Sequence, residues 1–377
     1  MNFLLKDITK YRQDLHKIPE VGFKEFKTQK YILENLEKMG YSPFTICETG
    51  VYVYIPGNKS ECKAFRADID ALPIEENNSC DFVSTHKGFM HACGHDGHAA
   101  TLLAFAKYLT TLDKTEYSIL LIFQPAEEGP GGAKFICETG LLEKYKVKEI
   151  YSFHLFPDLK EGVISTKPGP FFAQATEFDC SIIGKGGHGG MPQKTNDPLI
   201  PFTKTIDSYQ SIISRNLSPF NAGVITVGKF LGGTVRNIIP NSLDFYGTIR
   251  TYSQEDTEYI IKRMKEIHRG IEISFNVKIN DEFRVLYPPI INDENLYNKF
   301  LKFSNNFNFI QGEALALAED FAFYQEKVPG LFFLLGTRNE DKNFISPLHS
   351  SSFNFDEKVL LEGVKLFMKL LEEKNEL

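Results

Sequence analysis

The sequence predicts an α/β protein with a central mixed sheet flanked by helices and an inserted ferredoxin-like α+β domain. Three observations support this fold class. The chain has 377 residues, which is too long for one small core. The continuous apolar runs 118–123 and 331–336 are typical of strands covered on both faces. Elements between 172 and 286 follow the order β-α-β-β-α-β, which is the ferredoxin-like arrangement.

The composition is that of an ordinary soluble globular protein, with 42% apolar and 24% charged residues. A net charge of −7 argues against a nucleic-acid partner, which requires a basic surface. The N-terminus carries only three consecutive apolar residues, and no window is long and apolar enough for a membrane span. Six cysteines without framework spacing indicate free thiols. We therefore expect a cytoplasmic protein without a membrane partner.

The first half of the chain alternates helices and strands. Pro19 and Gly40 end two amphipathic helices, and Pro56 follows a short strand. The predicted helices span 3–18, 28–39 and 99–109, and the predicted strands span 51–55, 64–70, 118–123 and 150–155. These elements belong to a first domain, 1–171.

The pattern changes near residue 172. Predicted strands span 177–183, 222–230, 242–252 and 273–279, and predicted helices span 198–215 and 253–269. Ser253 and Asp256 resemble a capping box at the start of the second helix. After 287 the α/β character returns, with helices at 295–303 and 356–373 and a strand at 331–336. The domain boundaries are therefore 1–171 with 287–377, and 172–286.

The stretch 91–98 concentrates three imidazoles, one thiol and one carboxylate, just before an apolar helical run. These are ligands for zinc, manganese, cobalt or nickel, and a loop-to-helix junction lets them converge on an ion. The alternative is a polar helix start beside a buried cysteine, but a buried imidazole then needs a partner.

Two carboxylates end the strand 64–70. Asp68 and Asp70 are two residues apart and face the same side, where they repel each other unless a cation lies nearby. We expect them to bind a metal or to orient its ligands. The alternative is a solvated strand end.

Further candidate ligands follow the strands. Glu127 and Glu128 are adjacent, so one can bind a metal while the other reaches a water molecule. His154 lies near a strand end and could instead be a core residue, and His349 lies in a loop before the last helix. A phosphate-binding reading of 124–132 lacks the G-K-[ST] signature. The G-x-G-x-x-G match at 184–189 does not open a helix, so we discount a dinucleotide site.

Four stretches, 66–73, 91–98, 124–129 and 186–188, resemble the metal-dependent aminoacylase, hippurate hydrolase and carboxypeptidase superfamily. The resemblance covers essentially the whole chain. The stretches 18–29 and 129–134 look more narrowly like the N-acetyldiaminopimelate deacetylases of lysine biosynthesis. One departure is 189–193, Gly-Gly-Met-Pro-Gln, which is closer to the general aminoacylase pattern than to Ala-Ala-Tyr-Pro-His.

The resemblance implies roles for individual residues. Two divalent ions (Zn, Mn, Co or Ni) would be held by Cys93, His95, Glu128, His154 and His349, with Cys93 bridging. Glu127 would be the general base, and Asp68 and Asp70 would be catalytic or orienting. Substrate-binding residues would be His188, Asn237 and Arg250 of a lid domain that also forms a homodimer. The substrate would be a small N-acyl amino acid.

Several alternatives stay open from the residues alone. Arg250 could be a surface strand residue, and Asn237 could be a turn residue. A non-catalytic protein with a structural zinc is a rival, although closed structural sites use four ligands and this chain offers five candidates. A cysteine hydrolase using Cys93 is weaker, because a metal-bound thiolate cannot attack a substrate.

Overall fold

The structure is a computed structural model that describes residues 2–372, so Glu373 of the predicted last helix lies outside the described residues. The chain forms two compact units. The first comprises 1–169, 291–313 and 320–377, and the second comprises 170–290 and 314–319. The sequence placed the inserted domain at 172–286 and did not anticipate that the short stretch 314–319 belongs with it.

The first unit begins with a helical pair and continues as an alternation of strands and helices. Its elements up to residue 166 are α1 (Asn2–His16), α2 (Phe26–Lys38), β1 (Phe44–Ile46), β2 (Gly50–Ile55), β3 (Lys59–Asp68), α3 (His95–Leu109), β4 (Tyr117–Gln124), α4 (Gly132–Glu138), α5 (Leu141–Lys144), β5 (Val147–Lys160) and β6 (Val163–Thr166). Helix α3 begins at His95, earlier than predicted, so half of the ligand-rich stretch is helical.

The remaining elements complete both units. The next are β7 (Gly169–Phe172), β8 (Gln174–Ile183), β9 (Gly187–His188), α6 (Leu199–Ser211), β10 (Gly223–Gly232), β11 (Ile238–Ile239), β12 (Ser242–Thr251), α7 (Gln254–Phe275) and β13 (Lys278–Tyr287). The last are β14 (Ile290–Asn292), α8 (Glu294–Leu301), β15 (Asn308–Gln311), α9 (Ala322–Gln325), β16 (Gly330–Arg338) and α10 (Leu360–Glu372).

An eight-stranded mixed sheet forms the centre of the first unit, in the order β1-β2-β4-β3-β5-β16-β6-β15. Strands β4, β3, β5 and β16 run parallel, whereas β2 is antiparallel to β4 and β6 to β16. All eight residues of β4 are buried, as its uninterrupted apolar sequence predicts. The predicted mixed sheet flanked by helices is therefore confirmed.

The parallel pairing of β3 with β4 brings two turns to one edge of this sheet. Asp68, the last residue of β3, lies opposite Gln124, the last residue of β4. The loops that follow these residues therefore leave the sheet side by side. Ligands of α/β proteins bind at this carboxyl edge of the strands.

The second unit has the predicted ferredoxin-like arrangement, with β8, α6, β10, β12, α7 and β13 in chain order and the sheet order β10-β12-β8-β13. The predicted strand 273–279 is wrong except at residues 278 and 279, where β13 begins. Helix α7 continues to Phe275 because its apolar face still packs on the core, and Asn276 ends it with a φ of 51°. The Ser253 hydroxyl accepts the Asp256 N–H at 3.1 Å, as the capping box predicts. Within residues 2–372, none of the helices is both long and apolar enough to cross a bilayer.

Candidate metal centre

The start of α3 presents two candidate ligands to the interior of the first unit. Gly94 separates Cys93 from His95 and adopts a φ of 89°, in the left-handed region that favours glycine. A Cβ at this position would also come within 3.0 Å of the Leu155 side chain. The Cys93 thiol and the His95 imidazole are both buried. The local sequence Cys-Gly-His therefore allows both side chains to face one interior point.

Hydrogen bonds select the same tautomer for two histidines. The Nδ1 of His95 lies 3.0 Å from the carbonyl oxygen of Asp70, and the Nδ1 of His154 lies 2.6 Å from the carbonyl oxygen of Leu155. Carbonyl oxygens only accept, so Nδ1 carries a hydrogen in each ring, and Nε2 is the nitrogen that has a lone pair for a metal ion when the ring is neutral. The Nε2 of His154 lies 3.3 Å from the Cys93 sulfur. Both rings therefore direct a ligand atom towards the thiol.

A second group of donors lies close to the same sulfur. Cys93, Glu128 and His349 offer ligand atoms that all lie within 4.8 Å of one another, as do Cys93, His95 and His154. The Nε2 of His349 lies 3.1 Å from Oε1 of Glu128. His349 adopts a φ of 60°, and its N–H donates to the Ala92 carbonyl at 2.9 Å. The thiol is thus common to two triads.

Asp70 forms hydrogen bonds with one member of each triad. One of its carboxylate oxygens lies 3.2 Å from Nδ1 of His95, and the other accepts the Glu128 N–H at 3.0 Å. Glu127 lies beside the triads, with Oε2 at 4.0 Å from Nε2 of His95. Asp70 therefore has the position of a residue that orients ligands.

Asp68 faces a different histidine. Its Oδ1 accepts from Nδ1 of His98 at 2.5 Å, while Nε2 of His98 accepts the Leu155 N–H at 2.9 Å. The His98 ring thus has both nitrogens engaged in hydrogen bonds, which leaves neither with a free lone pair for a metal ion. Asp68 and Asp70 are fully buried, so the solvated strand end is wrong for both.

A buried arginine holds the carboxyl ends of β3 and β4. Arg66 donates from Nη1 to Asp68 at 2.7 Å, from Nη2 to Asp320 at 2.8 Å, and from Nε to Gln124 at 2.8 Å. Asp320 also accepts the Ala133 N–H at 3.0 Å. Each polar group in this cluster is buried and partnered, so it is a rigid base for the loops that carry the candidate site.

The donor set fits divalent metal ions. Among the described residues, Nε2 of His95 is a buried polar atom without a hydrogen-bond partner. Buried polar atoms are normally satisfied, and ligation by a cation would satisfy this nitrogen. Thiolate, imidazole and carboxylate suit zinc, manganese, cobalt or nickel. Two triads that share one sulfur fit a pair of ions, and three ligands on each leave coordination positions open.

The electrostatics of the site also favour binding of a cation. Burial raises the pKa of the Cys93 thiol well above its ordinary value, and the Glu128 and Glu127 carboxylates raise it further. Burial acts to lower the pKa of His95, but Asp68 and Asp70 raise it to about 10. The site thus concentrates negative charge that a cation would neutralise, and ion binding would displace protons. A raised thiol pKa also argues against Cys93 as a nucleophile.

A cluster of charged side chains surrounds Asp96 in the first turn of α3. Asp96 accepts from Nε of Arg12 at 3.0 Å and from Nδ1 of His16 at 2.7 Å, and it accepts the Gly97 N–H at 2.9 Å. The Nε2 of His16 lies 2.9 Å from Glu76. Because both ring nitrogens face carboxylates, His16 donates twice and is an imidazolium ion. Burial and Arg12 act to lower its pKa, yet Asp96 and Glu76 raise it above 6.5.

The stability contributed by His16 is expected to depend on pH. A raised folded-state pKa stabilises the fold below the ordinary value of 6.5, and this contribution disappears as the pH rises through the folded pKa. His16→Gln should therefore lower the melting temperature of the metal-free protein more at about pH 6 than at about pH 9. Circular dichroism melts at both pH values measure the difference.

His268→Gln is the matched control. His268 is also buried beside a carboxylate, 2.7 Å from Asp281, but burial lowers its pKa despite that contact. The stability that His268 contributes is present above pH 6.5 and is lost as the pH falls. His268→Gln should therefore lower the melting temperature more at about pH 9 than at about pH 6. Equal losses at both pH values for His16→Gln would contradict the imidazolium assignment.

The three predicted substrate-binding residues lie in the second unit. His188 is exposed in β9, where it pairs with Ile238 of β11, and the Asn237 carbonyl accepts the Gly189 N–H at 2.9 Å. Arg250 lies in β12, is partly buried and donates to its neighbour's carbonyl at 3.2 Å. The structure thus brings His188 and Asn237 together on one ribbon, whereas Arg250 belongs to a different sheet. Their substrate-binding roles stay predictions.

The sequence analysis did not anticipate the supporting residues Arg12, His16 and Arg66. Their partners are distant in the chain: Arg66 and Asp320 are 254 positions apart. One feature of the sequence could have indicated the role of Arg66. It lies in a strand whose neighbouring residues are largely apolar, and a charge buried in such a strand requires a partner.

Comparison with known proteins identifies the family. The model of peptidase family M20/M25/M40 matches residues 64–373. An N-acetyldiaminopimelate deacetylase from Exiguobacterium sibiricum is 40% identical over 356 residues, which cover 93% of this chain and 94% of the relative.

Two solved structures share the fold over 98% of this chain. A candidate aminohydrolase from methicillin-resistant Staphylococcus aureus is 33% identical, with a TM-score of 0.90 over 97% of its chain. The YXEP protein of Bacillus subtilis, a dinuclear metal-binding peptidase of the M20 family, is 30% identical, with a TM-score of 0.86 over 98% of its chain. This chain therefore belongs to peptidase family M20/M25/M40.

Proposed function

We propose that this protein is a metal-dependent amidohydrolase that removes the acetyl group from N-acetyl-diaminopimelate, a step of lysine biosynthesis. The observation that carries the proposal is the pair of ligand triads sharing Cys93, with Glu127 beside them. Relatives at 37–40% identity over most of the chain are N-acetyldiaminopimelate deacetylases. A structural neighbour at 30% identity is a dinuclear metal-binding peptidase.

The proposed ligands of two divalent ions are Cys93, His95, Glu128, His154 and His349. When bound, such ions supply the Lewis acidity that polarises an amide carbonyl and favours deprotonation of water. Glu127 takes the proton of the attacking water and passes it to the departing amine nitrogen. Asp70 and Asp68 hold the imidazoles of His95 and His98 in fixed tautomers.

We assign substrate binding to His188, Asn237 and Arg250. A guanidinium can form two parallel hydrogen bonds with a carboxylate, so Arg250 suits the α-carboxylate of an amino acid. Burial lowers the pKa of Arg250, but a guanidinium stays charged throughout the working range. An imidazole such as His188 can donate to the oxygen that becomes negatively charged during attack.

Substrate preference tests the proposal. Protein purified with manganese or cobalt is assayed against N-acetyl-diaminopimelate and a panel of other N-acyl amino acids. Diaminopimelate carries a second amino-acid group, and a site built to hydrogen-bond it rejects substrates that lack it. We expect kcat/KM for N-acetyl-diaminopimelate to exceed that of the other substrates by at least about tenfold.

The other outcomes separate the alternatives. Similar kcat/KM values across the panel would favour a general aminoacylase, consistent with the sequence Gly-Gly-Met-Pro-Gln at 189–193. One tightly held ion without turnover of any substrate would favour a structural metal site. Turnover that persists after complete chelation would favour cysteine chemistry at Cys93.

We also propose a cytoplasmic homodimer. Six free cysteines suit a reducing compartment.

Strand β10 lies at the edge of the four-stranded sheet and exposes Val224, Phe230 and Leu231 by 50%, 63% and 51%. An apolar sheet edge is a template for pairing with a second copy. Light scattering of the purified protein measures the mass and would contradict the dimer if it gave 42.9 kDa.

A further inference from the structure

The segment before α2 packs directly against the loop that carries Glu127. Glu25, the residue before the helix, is fully buried, and its Oε1 accepts the Ala126 N–H at 2.9 Å. Its Oε2 accepts the Thr49 hydroxyl at 2.5 Å. A Cβ on Gly22 would come within 2.6 Å of the Gly129 carbonyl oxygen, so the two segments are in close contact.

Ala126 adopts an unfavourable backbone conformation. Its φ is 56°, in the left-handed region that is costly for residues with a Cβ, and it is fully buried. The Glu25 carboxylate holds its N–H, while its carbonyl accepts the N–H groups of Gly131 and Gly132, both at 3.0 Å. Such conformations persist only where the surroundings impose them. The restraint on the N–H side comes from Glu25.

Glu127 therefore lies between two restrained neighbours. The amide before it, that of Ala126, donates to Glu25, and the amide after it, that of Glu128, donates to Asp70 at 3.0 Å. Two buried carboxylates from separate segments thus fix the backbone on both sides of one side chain. Removing Glu25 would release the Pro125–Ala126 peptide plane, and removing Asp70 would release the Glu127–Glu128 peptide plane.

We propose that Glu25 is a positioning residue for Glu127, which it aims by holding Ala126 in the left-handed conformation. The proposal rests on the proposed function in one respect, the role of Glu127 as general base. The hydrogen bond from Ala126 to Glu25 and the left-handed conformation of Ala126 are observed whatever the role of Glu127. The proposal also gives a reason for placing the Glu25 carboxylate, with its burial cost, against this loop.

The alternative is that Glu25 only stabilises the fold. Burial raises its pKa to about 7, while the hydrogen bond from Thr49 opposes this rise and the charge of Asp70 adds to it. In either protonation state Glu25 keeps an oxygen that accepts from Ala126, so hydrogen bonding rather than charge should matter. A glutamine at position 25 keeps that acceptor, whereas a methionine of similar length removes it.

Kinetics of Glu25→Met and Glu25→Gln test the inference on any N-acyl amino acid that the wild type hydrolyses. We expect Glu25→Met to lower kcat by roughly a hundredfold with KM nearly unchanged, because misplacing a catalytic group by about 1 Å has an effect of this size. Glu25→Gln should restore kcat to within about threefold of the wild type, since the acceptor is retained. All rates are normalised to folded, metal-loaded protein.

Glu20→Ala is the matched control. The Glu20 carboxylate also accepts two backbone amides, those of Lys27 at 2.9 Å and Thr28 at 3.0 Å, but these belong to the first turn of α2. This variant should lose stability while kcat is retained. If Glu20→Ala and Glu25→Met lowered kcat equally, Glu25 would have only a structural role and the inference would be overturned.

Hydrogen–deuterium exchange gives a readout that needs neither metal nor activity. In the metal-free protein, peptides covering 124–132 should exchange faster in Glu25→Met than in the wild type, and Glu25→Gln should restore protection. Unchanged exchange in Glu25→Met would overturn the inference even if kcat fell. If the wild type hydrolysed none of the substrates, the proposed function would fail, while exchange would still decide whether Glu25 restrains the loop.

Discussion

Glu127→Gln is expected to lower kcat by roughly 10²–10⁴-fold while leaving the metal content unchanged. Glutamine has the same shape as glutamate but cannot accept the proton of the attacking water. Glu127 is outside the two triads that share Cys93, so both triads stay intact in the variant. Steady-state kinetics give kcat, and elemental analysis of the purified protein gives the number of ions per chain.

Glu149→Gln is the control for removing a buried carboxylate from the same unit. Glu149 lies in β5 and pairs with Lys63 at 2.8 Å, away from the triads. Its replacement should affect stability more than kcat. Retention of activity by Glu127→Gln would show that another group accepts the proton. A parallel loss of metal would show that Glu127 is a ligand rather than the base.

Arg66→Met should produce the largest loss of stability. Its guanidinium bonds Asp68, Asp320 and Gln124, and all four side chains are buried. Removing one partner from a buried ion pair leaves uncompensated charge and costs about 3–5 kcal/mol. The free energy of unfolding of the first unit should fall by this amount. Because Cys62 is fully buried in β3, its rate of thiol labelling in increasing urea reports the unfolding.

Arg284→Met is the corresponding control at the surface. Arg284 also has three carboxylate neighbours, Glu177, Asp179 and Glu282, at 3.0–3.4 Å. Its side chain is 37% exposed, and solvent-screened pairs contribute little to stability. Labelling of the buried Cys180 in the same unit should therefore be nearly unchanged. Equal losses for the two arginine variants would contradict the argument from burial.

Local patterns in the sequence were sufficient to predict most strands of the first unit. The apolar runs 118–123 and 331–336 correspond to β4 and β16, which are buried along almost their whole length. The spacing of apolar residues was less informative where a helix is followed closely by a strand. The predicted strand 273–279 failed because apolar residues that face a core occur in both helices and strands, and Asn276 gives the only local sign of the boundary.

The candidate site was predictable where ligands are adjacent in the chain and not where they are brought together by topology. Cys93 and His95 belong to one ligand-rich stretch, so their convergence follows from local spacing. His349 joins them only because its loop packs on the Ala92 backbone. The orienting role of Glu25 was not predicted, because it depends on the φ of one alanine 101 positions away. The metal-binding roles of Cys93, His95 and His349 stay predictions, and the orienting role of Glu25 stays a proposal.

The position of β16 has a consequence for biosynthesis. This strand, formed by residues 330–338, lies in the sheet between β5 and β6, which were translated about half a chain earlier. As the nascent polypeptide leaves the ribosome, the emerging sheet lacks an interior strand and leaves two apolar edges uncovered until late in synthesis. The four strands of the ferredoxin-like sheet are all complete by residue 287, before β16 begins at residue 330, so this segment can begin to form its own core first. Chaperone dependence should therefore arise in the interval between completion of the inserted segment and arrival of residue 338.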